Sequence, residues 1–520
     1  MDTVPGAGIA RPPAGEQAGR VDGIDEVPEP LGGRNRLYND DLAPAKVRNW
    51  GTFSLFSMWM SDVHSIGGYT FAAGLFFLGL VGWQVLIALI VGIFLVNIAV
   101  NMMGRTGQRM GTPFPVVSRL SFGVYGANIP ALIRAIVAIA WYGIQTYLAS
   151  VAVIVLMIAI FPGMKSMENG GFLGLAPLGW ICFLVLWVLQ LLVMHRGMET
   201  IRKYQWVAGP AVWVAMVALM IWILVAAHGN VGLSVSSQRL SGGVAIREFL
   251  AAVSLTVAYF STLMLNFCDF SRFAPSRRAV RRGNFWGLPV NFTAFAIVSV
   301  IVTAGTVRVF GKAITDPVLI VGKIHNTATL VIGALVFIVA TIGINIVANF
   351  VSPAYDLANV APKHIDFQRG GLISAVLALV VLPWKLYSSP VAVNYFLGGL
   401  GAFLGPLFAI IMVDYYLIRH ERVYMPDLYR EDGGRYHYKH GVNPRALIAF
   451  VPSAAIAAVV ALDSAFSTAS PFSWFIGAVP AAVIYYVINA NGQRSADLDE
   501  IPRDLPVNEN ESVPGSTLPA

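Results

Sequence analysis

The chain has 520 residues, of which 56% are hydrophobic and only 12% charged, with a mean hydropathy of +0.67. A soluble domain carries about twice that share of charge, so a large soluble enzyme is excluded, and so is a disordered chain, which needs low hydrophobicity. The formal net charge of +7 is read as membrane topology and not as a nucleic-acid footprint, because Lys and Arg concentrate in cytoplasmic loops.

Residues 1–47 are polar, with many Pro and Gly, and read as a mobile cytoplasmic tail without a signal-peptide run. Twelve apolar segments follow, at about 51–79, 82–103, 130–161, 173–194, 205–227, 247–267, 284–308, 327–351, 371–388, 391–418, 446–462 and 472–490. Each is close to the roughly 20 residues that cross a bilayer. Residues 491–520 form a second polar tail. The expected fold class is therefore an all-α integral membrane protein with about 12 transmembrane helices.

Charge tests the topology. With the N-terminus inside, the inner loops hold nineteen Lys and Arg, among them Arg105, Arg109, Arg119, Arg196, Arg202 and the run Arg277, Arg278, Arg281, Arg282. The outer loops hold seven, including Lys165, Arg239 and Lys323, and the two tails add eight to the inner side. Both ends are therefore expected in the cytoplasm of a multi-pass cell-membrane (plasma or inner membrane) protein.

Two spans in corresponding positions of two five-helix halves look interrupted. The first contains Ser65-Ile66-Gly67-Gly68 and the sixth contains Tyr259-Phe260-Ser261-Thr262. Paired interruptions point to an inverted-repeat transporter with a site at the midplane, although small residues also permit close helix packing. Trp141 and Gln145 lie one helical turn apart in the third span. An indole stacks on a flat ring, and a carboxamide both donates and accepts. The pair suits a planar heterocycle with amide-like edges, although on these residues alone a packed Trp and an interhelical Gln is the favoured reading. Asn345 and Asn349 repeat that spacing in the eighth span, where they line a polar cavity or join helices. Asp62 and His64 are ionisable groups at membrane depth, which makes them candidates for taking up a proton or for structural pairing. Asp269, Arg272 and Asp414 read as anchors of helix ends at the interface.

Several chemistries find no support. No GxxxxGK[ST], HExxH or GxSxG occurs on a span, so ATP drive and intramembrane hydrolysis lack their motifs. A TVGYG-like filter is absent. Cys182 and Cys268 lack CxxC spacing, so neither a disulfide framework nor a metal site is expected, and no cofactor.

A set of segments in order resembles the nucleobase–cation symporter-1 family, the permeases for cytosine, purines, uracil, thiamine and allantoin. They are Asn39-Asp40-Asp41-Leu42-Ala43-Pro44 with Arg48 and Trp50; Trp59 through Leu75; Trp141-Tyr142-Gly143-Ile144-Gln145; Leu265 through Phe273; Ser352 through Asn359; and Gly405-Pro406-Leu407 leading to Val413-Asp414-Tyr415-Tyr416. The resemblance covers about residues 35–425 and implies a 5+5 inverted repeat with broken helices 1 and 6 plus two C-terminal helices. It divides the chain into a transmembrane domain over 48–490, with repeats at 48–228 and 247–420 and a final pair at 446–490. It implies substrate contacts from Trp141, Gln145, Phe260, its neighbour Tyr259, Asn349 and Ser65, with the ring held between Trp141 and Phe260. For coupling it implies carbonyls near Ser61, His64 and Ala340, with Asp62 beside them. The two eighth-helix hydroxyls of sodium-coupled relatives fall on Gly343 and Ile344, which carry no side-chain oxygen, so the coupling ion is expected to be H+ in preference to Na+.

The expected function is import of a nucleobase-like heterocycle by cation-coupled alternating access, not an enzymatic reaction. An amino-acid or amine transporter of the same architecture, or a passive channel or nutrient receptor, is the alternative. The expected partners are the small-molecule substrate and the lipid bilayer, with no nucleic acid and no expectation about oligomeric state.

Overall fold

The computed structural model describes residues 36–194, 197–232, 240–324, 327–386 and 390–490. The tails over 1–35 and 491–520, together with Arg196, Arg239 and the end of the segment expected at 371–388, lie outside the described residues.

Among the described residues the chain is helical, with no strands beyond two isolated bridges. Nine helices among the described residues are long and apolar enough to cross a membrane, and three shorter apolar helices complete twelve, at Gly67–Leu78, Pro177–Val193 and Phe367–Val380. They coincide one for one with the twelve expected segments.

The first crossing is α1 (Thr52–Val63) and α2 (Ile66–Gly74). The break is chemical in origin. His64 leaves helical geometry (φ −85°, ψ 66°). Ser65 then turns extended, and its hydroxyl accepts the Gly68 N–H at 2.9 Å as the N-cap of α2. Helices α3 (Gly82–Met110), α4 (Phe114–Phe122), α5 (Asn128–Ile160), α6 (Pro177–Met194) and α7 (Gly197–Ala226) finish the first half.

The second half begins with α8 (Gly242–Asn266) and the single turn α9 (Cys268–Ser271). Here the structure shifts an expectation. Tyr259-Phe260-Ser261-Thr262 stays helical within α8, and Ser261 donates its hydroxyl to the Ala258 carbonyl at 2.6 Å. Phe267, which joins α8 to α9, also keeps right-handed helical dihedrals (φ −59°, ψ −19°), so this crossing runs as one helix over Gly242–Ser271. Next come α10 (Arg277–Phe285), a π-turn over Trp286–Val290 and α11 (Asn291–Phe310), then the short α12 (Pro317–Val321). The eighth crossing is α13 (Thr327–Ile344), a π-turn over Asn345–Phe350 and α14 (Val351–Val360). Helices α15 (Phe367–Val380), α16 (Pro383–Leu386) and α17 (Pro390–Met412) close this half, and α18 (Pro444–Leu462) and α19 (Ser473–Ala490) pack against α17.

Small residues set the closest approach. A Cβ on Gly92 of α3 would lie 2.6 Å from Thr256 of α8, and one on Gly107 would lie 2.5 Å from the Cys268 backbone. Lipid tails offer no hydrophobic gain for joining helices, so such contacts hold the bundle by dispersion.

Residues 36–47 depart from the expected loose tail. Leu37 and Leu42 are buried. Arg119 donates to the Leu37 carbonyl, Arg272 to the carbonyls of Asp41 and Ala43, and Tyr429 to that of Leu42. Buried backbone carbonyls need partners, and these three side chains supply them. Arg272, Asp269 and Asp414 are likewise buried within the bundle. Asp414 accepts from Arg419 at 2.7 Å and from Tyr485 at 2.8 Å.

Candidate functional site

A single cleft between the first, third, sixth and eighth crossings collects most of the expected residues. Its walls are Asp62, Trp141, Gln145, Tyr259, Phe260, Thr262, Leu263, Ile344, Ala348 and Asn349, around ≈ 340 Å³ of empty space counted to its mouth. Each half of the chain contributes. Asp62 lies in the last turn of α1 just before the break, Trp141 and Gln145 share one face of α5, and Asn349 sits in the π-turn, a departure from α geometry that recurs at functional sites.

The aromatic wall is built in a chain of contacts. Trp141 meets Tyr259 edge to face, with centroids 6.2 Å apart at 78°. Tyr259 stacks on Phe71 at 4.4 Å and 17°, and meets Phe260 at 5.2 Å and 80°. Phe260 is braced by Phe292 at 5.2 Å.

The polar groups are held from behind. Asn349 donates to Asn345 Oδ1 at 2.9 Å. Asn345 in turn donates to Gln190 Oε1 at 2.8 Å, Thr146 Oγ1 at 3.0 Å and the Tyr142 carbonyl at 3.1 Å. Asn345 therefore stands in the layer behind the cleft, where it fixes the Asn349 amide. Gln145 is buried, and its Oε1 has no hydrogen-bond partner. A buried acceptor left open costs free energy, so this oxygen is set to receive a donor.

The remaining expected residues lie elsewhere. Ser65 is the α2 cap and does not line the cleft. His64 is enclosed by Trp213 and Phe295, both with centroids at 4.9 Å, beside the Gly209 backbone and the Asn291 amide. Ser61 and Ala340 are buried outside the cleft lining. The Ser61 side chain faces Gly343, where an added Cβ would sit 3.4 Å from its own Cβ. Ile344 is a cleft residue. No cluster of metal-binding side chains occurs among the described residues, and both cysteines are buried and free.

Sequence reasoning missed Arg134 and Gln190. The loops and tails account for all but one of the 35 Lys and Arg residues, and the one left over is Arg134, inside the third apolar segment. An intramembrane cation marks function or a buried partner. Arg134 donates to the Ala348 carbonyl at 2.9 Å and to Asn266 Oδ1 at 3.1 and 3.3 Å. Asn266 donates to Asp269 at 3.0 Å and contacts Ser352. Asp269 also accepts from Ser352 at 3.0 Å and from the Phe114 N–H at 2.7 Å. Asp356 is buried within electrostatic reach of Arg134 and Asp269. The eighth crossing is thus pinned one turn from Asn349 by a charge network shared with the third and sixth.

Residues 43–488 match the family model described as permease for cytosine/purines, uracil, thiamine, allantoin. The chain belongs to this family, the nucleobase–cation symporters. It is similar to an allantoin permease of Bacillus subtilis, at 39% identity over 87% of this chain and 93% of that one. A purine-uracil permease of Arabidopsis thaliana is 32% identical over 89% of this chain and 79% of its own length. The fold matches the solved structure of Mhp1, a nucleobase-cation-symport-1 family transporter in a closed conformation with bromovinylhydantoin bound. That match has a TM-score of 0.73 at 23% identity and covers 89% of this chain and 98% of that one. The protein is therefore a multi-pass secondary transporter of nucleobase- or allantoin-type compounds, and not an enzyme.

Proposed function

We propose that this permease imports a planar cyclic urea or ureide of the hydantoin and allantoin type by proton-coupled alternating access, from the cleft lined by Trp141 and Phe260. The observation that carries the reading is the set of acceptors that converge on one aromatic wall. Gln145 Oε1 is open, Asn349 spends one of its two amide N–H groups on Asn345, and Asp62 adds a carboxylate. Such a site favours a ring rich in N–H donors, because an acceptor-rich edge would leave buried lone pairs opposed. The similarity to an allantoin permease supports the same substrate class.

In this reading Trp141 and Phe260 hold the two ring faces, with Tyr259 bracing Trp141. Stacking contributes about 1–3 kcal/mol per ring, and two amide contacts bring the total toward micromolar binding, on the order of −8 kcal/mol. Gln145 and Asn349 orient the ring, and the break at Ser65 lets α1 and α2 move separately. Residues 48–228 and 247–420 act as the two repeats and 446–490 as an added pair. Both ends of the chain face the cytoplasm of a plasma or inner membrane in this reading, which the Lys and Arg asymmetry supports.

Proton coupling rests on two features. Gly343 and Ile344 offer no hydroxyl to a hard cation beside Ser61, Ala340 and His64, and Na+ needs a nearly complete oxygen shell. Asp62 is a titratable group in the cleft itself, so a proton on it and the substrate share one cavity. Uptake of radiolabelled allantoin, hydantoin and uracil by cells expressing Trp141→Ala and Asn349→Ala tests the site. Both variants are expected to lose uptake of whichever compound the wild type accumulates. Wild-type uptake by both would overturn the placement.

A further inference from the structure

We propose that the outer face of α10 is a binding site for anionic phospholipid headgroups at the membrane boundary. Arg277, Arg278, Arg281 and Arg282 are all exposed, and so are Phe285 and Trp286 directly after them. At about 100° per residue these six side chains occupy one half of the helix, with cations toward its start and aromatics toward the bilayer.

The other half is fixed to the bundle. A Cβ on Gly283 would lie 2.6 Å from Leu55. Asn284 accepts the Trp59 indole N–H at 2.8 Å and donates to Asn101 at 3.0 Å. The stripe is therefore presented in a rigid orientation.

Position along the helix supports the same ligand. The continuous helical run Arg277–Phe310 has 34 residues, about 51 Å at 1.5 Å per residue. The hydrocarbon core is about 30 Å thick, so the first turns stand in the headgroup layer. Tryptophan favours that boundary, and Arg suits phosphodiester oxygens.

Neighbouring cations are treated differently. Arg105 and Arg109 pair with Glu421 at 2.7 and 3.1 Å, Arg202 pairs with Glu199 at 2.6 Å, and Arg419 pairs with Asp414 at 2.7 Å. Among the described residues none of the four α10 arginines has a carboxylate partner within 4.0 Å. Their charge is left for a ligand outside the chain.

The test reconstitutes the full-length protein in bilayers of phosphatidylcholine alone and of equal parts phosphatidylcholine and phosphatidylglycerol. Thermal midpoints are compared, and retained lipid is counted by native mass spectrometry. The wild type is expected to retain phosphatidylglycerol selectively and to melt higher in the mixed bilayer, with no shift from inorganic phosphate. The variant with all four arginines changed to Gln is expected to retain phosphatidylglycerol at least about tenfold less. The variant with all four changed to Lys keeps the charge and is expected to keep the lipid. Equal behaviour of the wild type in both bilayers, or selective retention by a folded Gln variant, overturns the proposal. If the Gln variant does not insert, the wild-type comparison and the Lys variant decide it.

Discussion

Gly67→Ala tests the role given to Gln145 without touching Gln145. Gly67 lies in the first turn of α2, and a Cβ there would stand 2.7 Å from Gln145 Nε2, 3.5 Å from Cδ and 3.6 Å from Oε1. Ordinary contact begins at 3.4 Å, so the carboxamide must retreat by at least about 0.7 Å. It is the far end of a flexible side chain and can do so, which spares the fold. A hydrogen bond of about 2.9 Å stretched by that amount is no longer one. The loss of one neutral hydrogen bond is about 0.5–1.5 kcal/mol, or about two- to tenfold in affinity. Ala also favours the helix over Gly by about 0.5–1 kcal/mol, so the thermal midpoint without ligand should hold or rise. Gly74→Ala is the matched control, since nothing lies within 4 Å of its Cβ in the same helix. Isothermal titration of the purified variants against the transported compound separates the outcomes. Wild-type affinity in Gly67→Ala would refute the contact between Gln145 and the ligand.

Coupling and packing give further expectations. Asp62→Asn removes the one carboxylate among the residues that line the cleft; it should abolish accumulation driven by a pH gradient while exchange across the membrane persists, as measured in proteoliposomes, and retained pH-driven accumulation would assign the proton elsewhere. Gly343→Ser with Ile344→Thr supplies the two missing hydroxyls where space allows, because the Gly343 Cβ position meets Ser61 only at 3.4 Å; this double variant should acquire sodium-dependent ligand binding, read as a thermal shift with sodium against choline. Gly371→Ala would place a Cβ 1.9 Å from the Phe350 ring, which packs edge-on against Phe367 at 5.8 Å; overpacking costs about 1–3 kcal/mol, and the thermal midpoint should fall by several degrees.

Hydropathy alone located all twelve crossings, because in a bilayer every spanning segment must satisfy its backbone internally and be apolar along its length. One-turn spacing put Trp141 with Gln145 and Asn345 with Asn349 on shared faces, since the helical period is local. The order of motifs carried the family. Long-range packing decided the rest. Period and spacing cannot say that Asn345 stands behind Asn349 and not beside it, because the difference is made by Gln190 and Thr146 on other helices. Ser65 became a helix cap and not a cleft residue through its bond to Gly68, a choice between two uses of one hydroxyl. The polar run Tyr259–Thr262 stayed helical, with the Ser261 hydroxyl satisfied by its own turn. Residues 36–47 carry the composition of a loose tail, yet their carbonyls meet Arg119, Arg272 and Tyr429 from three distant segments. Arg134 was visible as a lone cation in an apolar run, but its partners at Ala348 and Asn266 come from residues more than a hundred positions away. Local chemistry thus settled which segments are helices and which faces are polar, and only the folded bundle, through contacts remote in sequence, settled which polar groups remain unpaired and open to a ligand.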